Sequence, residues 1–388
     1  MIISRPSVNL NDSRLRFYIS IFVSSLGLGM YVYFVPIFAQ RFGATFLDLG
    51  YIGTASAVTY AIAPILVGHL ADRVNRWRLF ALALLVNCVT TIALVFSRSV
   101  TDIVLIRSLG GLGLAFFWPS GEILVLDSAP REKRVREMGL FSVSWGLAFL
   151  IGPLLGGIII QYLGFFDLFV FSSLLIMLAF VQTAFWARPT NRKSETPSMH
   201  TSGRFPAVRR LLPWYVMTAS YGVIFSIVST IFPGYANSVG INLVQVGLIF
   251  TVFGLARITG FATSDHYLHF GVKKSLFVVS LLISCCCLVI GFYPSFNAFL
   301  CVIALLGGSF AVIFPLTIDL ISRHFPDEQN GAAVGSYESV YGIGSAIGPI
   351  LAGSIATLLD VRFSFVVASL FAILMVIITA AGGTYSRR

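Results

Sequence analysis

Five ionisable residues lie inside long apolar stretches of this sequence, where a charge is costly. They are Arg107, Glu122, Arg257, Asp319 and Glu338. A charged side chain at the centre of a bilayer costs about 2.5–3.5 kcal/mol on insertion scales, so it usually faces a cavity or a partner. Carboxylates in such places can couple a proton to another process. These five residues are therefore the first candidates for handling a substrate or a proton.

Each candidate also has a simpler structural interpretation. Arg107 could extend to the membrane interface, Glu338 could stabilise the N-terminus of its helix, and Asp319 is close to an interface. We expect Glu122 to face a cavity. Arg257 has fewer alternatives, and we expect it to face a cavity or to form a buried pair.

Aromatic residues surround these candidates along the chain. One aromatic residue alone is more often packing material, but the group together indicates an apolar or amphipathic small molecule, including cations held by π faces. A sugar site would usually carry several amides, and Asn87 is the clear amide inside an apolar segment. The aromatic residues that we assign to the pathway are Tyr33, Phe117, Trp118, Trp145, Tyr221, Phe225, Tyr337 and Tyr341.

The composition places the elements that carry these residues in a membrane. Hydrophobic residues make up 57% of the 388-residue sequence and charged residues 11%, whereas soluble domains carry about 25% charged residues. A helix of about 20 apolar residues crosses a bilayer, and such windows recur along the chain. We predict an all-α membrane protein with twelve transmembrane helices and a retained first span. The predicted spans are 15–38, 47–70, 79–97, 102–126, 138–162, 168–187, 211–233, 244–265, 275–293, 298–322, 334–358 and 364–384.

The basic residues fix the predicted orientation. All but five of the 26 Lys and Arg residues fall at the termini or in the connections on one side of the predicted bundle. The positive-inside rule makes that side cytoplasmic, with both termini there, in the inner or plasma membrane. Because the net charge of +10 follows the loops and not one folded surface, it does not indicate a nucleic-acid partner.

The chain repeats itself at half its length. A shift of 196 residues superposes Pro119 on Pro315 and Pro153 on Pro349, and a shift of 197 superposes Pro36 on Pro233. Parallel repeats of this kind are one known transporter plan. We therefore predict two parallel six-helix units, residues 1–187 and 211–388, joined by a cytoplasmic linker at 188–210.

Helix starts repeat in the same way. Thr45 with Asp48 and Asn242 with Gln245 have the spacing of capping boxes at the starts of spans 2 and 8. Thr101 and Asn297 are the matching candidate N-caps for spans 4 and 10.

Three motifs complete the pattern. The loop between spans 2 and 3 holds Gly68, Asp72, Arg73 and Arg76, and Asp127 ends span 4. Span 4 holds Arg107 in an Arg-x-x-x-Gly-x-Gly arrangement. Small and kinking residues recur in spans 5 and 11, at Gly152, Pro153, Gly156, Gly157, Gly348, Pro349 and Gly353.

With its twelve spans, the chain resembles the major facilitator superfamily, in particular its drug/proton antiporter-type members. The resemblance implies a conformational latch in which Asp72 docks on the cytoplasmic end of span 11 and Asp127 accepts Arg73 or Arg76. It implies proton coupling through the Arg107 motif. It also implies antiport with span 5 as a hinge, and the repeat extends the hinge to span 11.

The sequence thus predicts a secondary transporter that works by alternating access, without a cofactor or a metal. No nucleotide-binding glycine loop exists, and the cysteines lack metal-ligand spacing. We expect proton-coupled efflux of small apolar or amphipathic compounds by a monomer in the lipid bilayer. Uptake of a polar metabolite, such as a sugar or an organic anion, and lipid translocation remain alternatives, and enzymatic activity is disfavoured.

Overall fold

The structure is a computed structural model, and it describes most of the chain. The backbone is described for residues 10–71, 75–128, 134–186, 208–263, 270–325 and 330–381. Side chains are described for residues 15–62, 75–125, 136–185, 211–263, 270–325 and 333–381.

Twelve long helices form the described part of the chain, one for each predicted span. The first, α1 (Leu10–Tyr31), continues through a 3-10 turn and a short helical segment to Gln40. The others follow in order: α2 Phe46–Ala71, α3 Arg76–Ala93, α4 Val100–Ser128, α5 Arg134–Tyr162, α6 Phe165–Trp186, α7 Val208–Ser238, α8 Leu243–Ala262, α9 Val272–Phe292, α10 Phe296–Ser322, α11 Asn330–Leu358 and α12 Val361–Ala381.

These helices have the length and composition of membrane spans. Eleven of them are long and apolar enough to cross a bilayer over their described residues. The remaining helix, α2, has 26 residues and lies between two of those spans in the chain. The prediction of an all-α membrane protein with twelve spans is confirmed.

Polar residues at the helix starts explain where several helices begin. The Thr45 N–H donates to the Asp48 carboxylate at 2.8 Å, and the Asp48 N–H donates to Thr45 Oγ1 at 3.3 Å. Asn242 and Gln245 form the matching capping box at α8. Both predicted boxes are therefore present.

The predicted N-caps of α4 and α10 are wrong by two residues. Ser295 is the N-cap of α10 and accepts the Ala298 N–H at 3.3 Å, while Ser99 accepts the Asp102 N–H at 3.2 Å before α4. Ser99 and Ser295 are still 196 residues apart, so the repeat holds. The serines cap because the helices start earlier than the apolar runs do.

The helices pack as two groups that meet along two helix pairs. Within the first six helices, α1 packs on α5 and α6, and α4 packs on α2 and α3. Within the last six, α7 packs on α11 and α12, and α10 packs on α8 and α9. The pairs α2–α11 and α5–α8 join the two groups. The predicted linker at 188–210 falls almost entirely outside the described backbone, and the predicted domain boundaries stay predictions.

The two groups are in closest contact at one end of the bundle. We call it the opposite end, marked by Gln40, Phe46, Tyr162, Leu243 and Leu358, and we call the other the basic end, marked by Ala71, Asn75, Ser128, Ala262 and Ser322. A Cβ on Gly353 would lie 2.5 Å from the Phe46 carbonyl oxygen, and a Cβ on Gly157 would lie 2.5 Å from that of Leu243. Glycine alone permits this approach.

Hydrogen bonds continue the same contact toward the middle of the bundle. Thr54 donates to the Ala346 carbonyl at 2.7 Å, and Thr251 donates to the Leu150 carbonyl at 2.9 Å. Both bonds run from one six-helix group to the other. The seam is therefore closed from the opposite end past these threonines, and a Cβ on Gly342 would still lie 3.0 Å from the Ala61 Cβ.

Toward the basic end the same helices separate. A Cβ on Gly139 of α5 or on Gly335 of α11 would meet no atom within 4 Å among the described residues. The neighbouring side chains Leu140, Val143 and Val334 are exposed. Among the described residues, the seam is thus open toward the basic end and closed at the opposite end.

Enlarging Gly353 is expected to open the closed end, because the added side chain would meet the Phe46 backbone. Overpacking of this kind costs about 1–3 kcal/mol. In a variant whose five native cysteines are alanine, Gly353→Val should speed thiol labelling of Thr54→Cys about tenfold. Gly335→Val, on the same helix but in open space, is the control. Equal labelling rates in the two variants would contradict the closed seam.

Candidate functional site

Two carboxylates from different six-helix groups share one site near the basic end. Glu122 of α4 is exposed and Glu338 of α11 is half-buried, and the two lie within electrostatic range of each other. Tyr60 of α2 lies within range of both. Because α4 belongs to the first group and α11 to the second, this site depends on how the two groups are arranged.

Arg257 lies on α8 in an aromatic setting. Its guanidinium carbon is 5.6 Å from the ring centroids of both Phe225 and Phe261, within the range of a cation–π contact. Its charge also reaches Tyr33 and Tyr221. Arg257 is five residues before Ala262, about 8 Å from the end of α8 at 1.5 Å per residue.

Aromatic rings of the second six-helix group form a continuous wall beside Arg257. The rings of Tyr221 and Tyr341 are 5.3 Å apart, and Phe310 lies 5.2 Å from Tyr221. Phe225 is half-buried and lies 5.9 Å from Phe310. Tyr221 is almost fully buried, so it supports the wall, while Phe225 and Tyr341 keep exposed surface.

A second aromatic cluster comes from the first six-helix group. Trp118 and Trp145 are half-buried and meet edge to face at 5.5 Å. Phe117 is fully buried and packs on Phe80 at 5.4 Å, so in this conformation it belongs to the core. Ile258, the residue after Arg257, comes within 3.6 Å of a Cβ placed on Gly146.

Two other predicted pathway tyrosines are buried. Tyr33 stacks on Phe250 with ring centroids 3.8 Å apart, a contact between the two groups. Tyr337 is fully buried and meets Phe314 edge to face at 5.4 Å. In this conformation both rings therefore belong to the packed interior.

Arg107 lies in a different region from Glu122, although both are on α4. The two residues are separated by four helical turns, about 22 Å. Arg107 Nη2 lies 3.4 Å from Ser56 Oγ on α2. A Cβ on Gly111 would overlap Thr59 Oγ1 and the Ser56 carbonyl oxygen. The Arg107 motif therefore forms a tight crossing of α4 on α2.

Asp319 also lies apart from the site. Its carboxylate pairs with Arg323 one turn later at 2.6 Å, and both side chains are partly exposed. It is three residues before Ser322 at the basic end of α10. This position agrees with the simpler interpretation of Asp319 as an interfacial residue.

The predicted latch lies mostly outside the described side chains. Asp72 and Arg73 lie outside the described residues, and only the helical backbone is described at Gly68 and Asp127. Arg76 is the first residue of α3 and is half-buried. The N-cap of α3 is Asn75, which accepts the Trp77 N–H at 2.9 Å.

The predicted hinge residues lie at close helix contacts. A Cβ on Gly152 would be 2.8 Å from the Gly29 backbone, and a Cβ on Gly156 would overlap the Met30 carbonyl oxygen. Gly348 is equally close to Val223 on α7. Helices α5 and α11 run without interruption through Pro153 and Pro349. Their role as hinges stays a prediction.

Sequence reasoning missed two polar groups near these elements. Tyr60 lies in a largely apolar run, but the shift of 197 residues that relates Pro36 to Pro233 also relates it to Arg257. Glu137 is buried at the start of α5, and its carboxylate accepts a hydrogen bond from Tyr18. The repeat could have indicated Tyr60, whereas no sequence signal marks Glu137.

Comparison of the sequence with known families gives one clear match. The family described as "Major Facilitator Superfamily" matches residues 17–268 and 214–382. Multidrug resistance protein 1 of Bacillus subtilis is 23% identical over 93% of this chain and 94% of its own length. The quinolone resistance protein NorA of Staphylococcus aureus is 24% identical over 87% of this chain and 88% of its own.

Solved structures share the fold. A variant of the nucleoside transporter NupG superposes with a TM-score of 0.81 at 12% identity, covering 96% of this chain and 99% of that one. A peptide transporter bound to sulfate superposes with a TM-score of 0.79 at 15% identity, covering 95% and 94%. At such identities the likeness concerns the fold alone.

The α2–α4 crossing that positions Arg107 gives a matched pair of variants. Gly111→Ala should destabilise the protein by about 1–3 kcal/mol, because the new methyl group overlaps Ser56 and Thr59. At Gly110 the nearest atom is 3.6 Å away, so Gly110→Ala should be neutral or stabilise the helix by up to about 1 kcal/mol. Thermal unfolding in detergent measures both. Equal melting temperatures would show that the crossing is looser than described.

Proposed function

We propose that this chain, which belongs to the Major Facilitator Superfamily, is a proton-coupled exporter of small apolar or amphipathic compounds. Members of this family are membrane transporters and not enzymes. The chain is a multi-pass membrane protein. The two relatives named above are a multidrug resistance protein and a quinolone resistance protein, and this supports export over uptake.

The observation that carries the proposal is the carboxylate pair Glu122 and Glu338. The two residues belong to different six-helix groups and lie within electrostatic range of each other toward the basic end, where a proton can arrive from the aqueous side. A carboxylate that gains and loses a proton changes the repulsion between the groups. Proton binding therefore favours one arrangement of the groups over the other, as coupled transport requires.

The aromatic clusters support an apolar or amphipathic substrate. Trp118 and Trp145 of one group and Phe225 and Tyr341 of the other are half-buried and keep exposed ring surface. Their rings offer apolar surface that adapts to compounds of different shape. Such a site suits amphipathic molecules better than a single polar metabolite.

The open and closed ends fit transport by alternating access. We assign the basic end to the cytoplasm of a cell with this protein in its plasma membrane, with both termini inside, because the positive-inside rule places basic connections there. The described conformation is then inward-facing. A monomer is sufficient, since the proposed pathway runs between the two groups of one chain.

Replacing the carboxylates is expected to uncouple transport from protons. In proteoliposomes with an imposed pH gradient, Glu122→Gln and Glu338→Gln should each lower the accumulation of tetraphenylphosphonium at least about tenfold. Exchange without a gradient should persist, because substrate contacts remain. Asp360→Asn is the control, since Asp360 is exposed at the opposite end. Gradient-driven accumulation at the parent level in both glutamine variants would refute the proposal.

The latch between spans 2 and 3 is part of the proposed cycle. A carboxylate at Asp72 would be favoured by the N-terminal end of α11, by about 0.3–1 kcal/mol or more if partly buried. Asp72→Asn should therefore slow transport by changing the balance between the two conformations, without altering substrate affinity. Transport rates and Kd values measured together test this. An unchanged rate would remove the latch.

A further inference from the structure

A cavity of about 350 Å³ lies at the opposite end of the first six-helix group. It is formed where the ends of α1 and α3 meet the start of α6, and its volume is in the range of small-molecule sites. Two polar side chains, Arg41 and Ser97, contribute to an otherwise apolar lining. Most of that lining consists of five phenylalanines, Phe38, Phe42, Phe165, Phe166 and Phe169. The cavity therefore combines apolar space with a cation.

The cavity lies at the boundary of the bilayer. Arg41 directly follows the membrane span that ends at Gln40. Ser97 directly follows the span that ends at Phe96. Phe166, at the start of the span of α6, is exposed, so the cavity reaches the outer surface of the bundle. The phosphate groups and ester linkages of lipids lie at this level, just outside the hydrocarbon core. A lipid can therefore enter the cavity from the bilayer.

Arg41 brings a charge that no described acidic side chain neutralises. It forms no ion pair among the described residues, whereas Arg362, another arginine of this end, pairs with Asp360. Its guanidinium carbon lies 4.5 Å from the centroid of the Phe165 ring. Arginine has five N–H donors in a planar fork that suits a phosphate, and one ring contact does not satisfy them. Arg41 is therefore suited to an anionic group from outside the chain.

Ser97 is an unpartnered hydroxyl in the same lining. Its side chain is 8% exposed, and its Oγ has no hydrogen-bond partner within the described part of the chain. Buried hydroxyl groups nearly always have such a partner. The ester carbonyl of a lipid is a hydrogen-bond acceptor, and rotation of the serine about χ1 can turn the hydroxyl toward one.

A smaller, more polar cavity of about 170 Å³ adjoins the first, since both are lined by Arg41 and Phe165. It is also lined by the side-chain amides of Gln40 and Asn237, which hydrogen-bond to each other at 3.2 Å. Amides offer both donors and acceptors, which suit the hydroxyl groups of a headgroup. An apolar and a polar cavity thus share one arginine, as an amphipathic anion requires.

We propose that these two cavities bind one anionic phospholipid from the leaflet at the opposite end, with its phosphate on Arg41. One acyl chain enters the phenylalanine-lined cavity, and the headgroup reaches the amides of the smaller one. Charge-assisted hydrogen bonds from arginine to phosphate give the affinity. A zwitterionic headgroup would bring a second positive charge beside Arg41, so anionic lipids bind in preference to zwitterionic ones.

The repeat supplies a matched control position in the second six-helix group. The shift of 197 residues relates Phe166 to Phe363, which is also exposed, but it relates Arg41 to Ser238, which carries no charge. The arginine beside Phe363 already forms an ion pair. Position 363 therefore has the same place in its group without the free cation.

Photochemical capture of lipid tests the inference. Phe166 and Phe363 are replaced, one at a time, by the photoreactive benzoylphenylalanine in the full-length protein. The protein is reconstituted in vesicles of equimolar dioleoyl phosphatidylglycerol and dioleoyl phosphatidylcholine, and captured lipid is identified by mass spectrometry. Position 166 should capture at least about fivefold more of the anionic lipid, whereas position 363 should capture the two within about twofold of each other.

Variants assign the two parts of the lipid to their places. Arg41→Gln should abolish the preference for phosphatidylglycerol at position 166. Val95→Trp, which fills the cavity from α3, should lower the capture of both lipids there about fivefold. Val89→Trp, at an exposed position of the same helix, is its control and should leave capture unchanged. Thermal unfolding confirms that each variant is folded before capture is compared.

The same experiment can overturn the inference. Equal capture of the two lipids at position 166, an equal preference at position 363, or a preference that survives Arg41→Gln would each refute it. Full capture in a folded Val95→Trp variant would show that no acyl chain occupies the cavity. Glycerophosphoglycerol, the headgroup without acyl chains, should not compete at millimolar concentration. Competition by it would assign the site to a soluble phosphodiester and reject the lipid.

Discussion

Backbone contact through glycine is the constraint on which the rest of this structure depends. At the opposite end, α2 meets α11 and α5 meets α8 so closely that no side chain fits at Gly353 or Gly157. This contact holds two six-helix groups together at one end and leaves them apart at the other. The polar and aromatic side chains near the basic end can face a common space because the helices diverge there.

The charged site follows from that geometry. Glu122 and Glu338 come within electrostatic range of each other although α4 and α11 belong to different groups. Arg257 occupies the position that Tyr60 holds in the repeat, so the two groups present different chemistry at equivalent places. A symmetric scaffold thus carries an asymmetric site, with a positive charge contributed by one group alone.

The fold was largely predictable from the sequence, and the site only in part. Apolar runs located all twelve helices, because hydrophobic length is a local property. The N-caps of α4 and α10 were missed by two residues, since Ser99 and Ser295 cap helices that begin before the apolar runs. The local pattern of apolar residues indicates which side chains are buried. It gives less information about where the first turn of a helix lies.

Spatial proximity between residues far apart in the chain could not be predicted from the sequence in the same way. Glu122 and Arg107 share a helix, and its rise of 1.5 Å per residue already separates them by about 22 Å. Glu122 and Glu338 are far apart in the chain, and only the structure shows that they lie within electrostatic range of each other. Asp319 resembles both in the sequence, but pairs with Arg323 at the interface. Which ionisable residues come close to one another depends on the packing of the helices and not on the composition of one helix.

The glycine seam has a consequence for how easily the two groups part. Its closest contacts set Cα hydrogens against carbonyl oxygens, as at Gly353 and Phe46, and such weak bonds stabilise by about 0.5–1 kcal/mol each. Glycine has no rotamers to order, so closing the seam at these positions freezes little side-chain motion, and the contacts across it also include the threonine hydrogen bonds and the Tyr33–Phe250 stack. Glycine–backbone contacts of this type can form and break repeatedly with a small activation barrier.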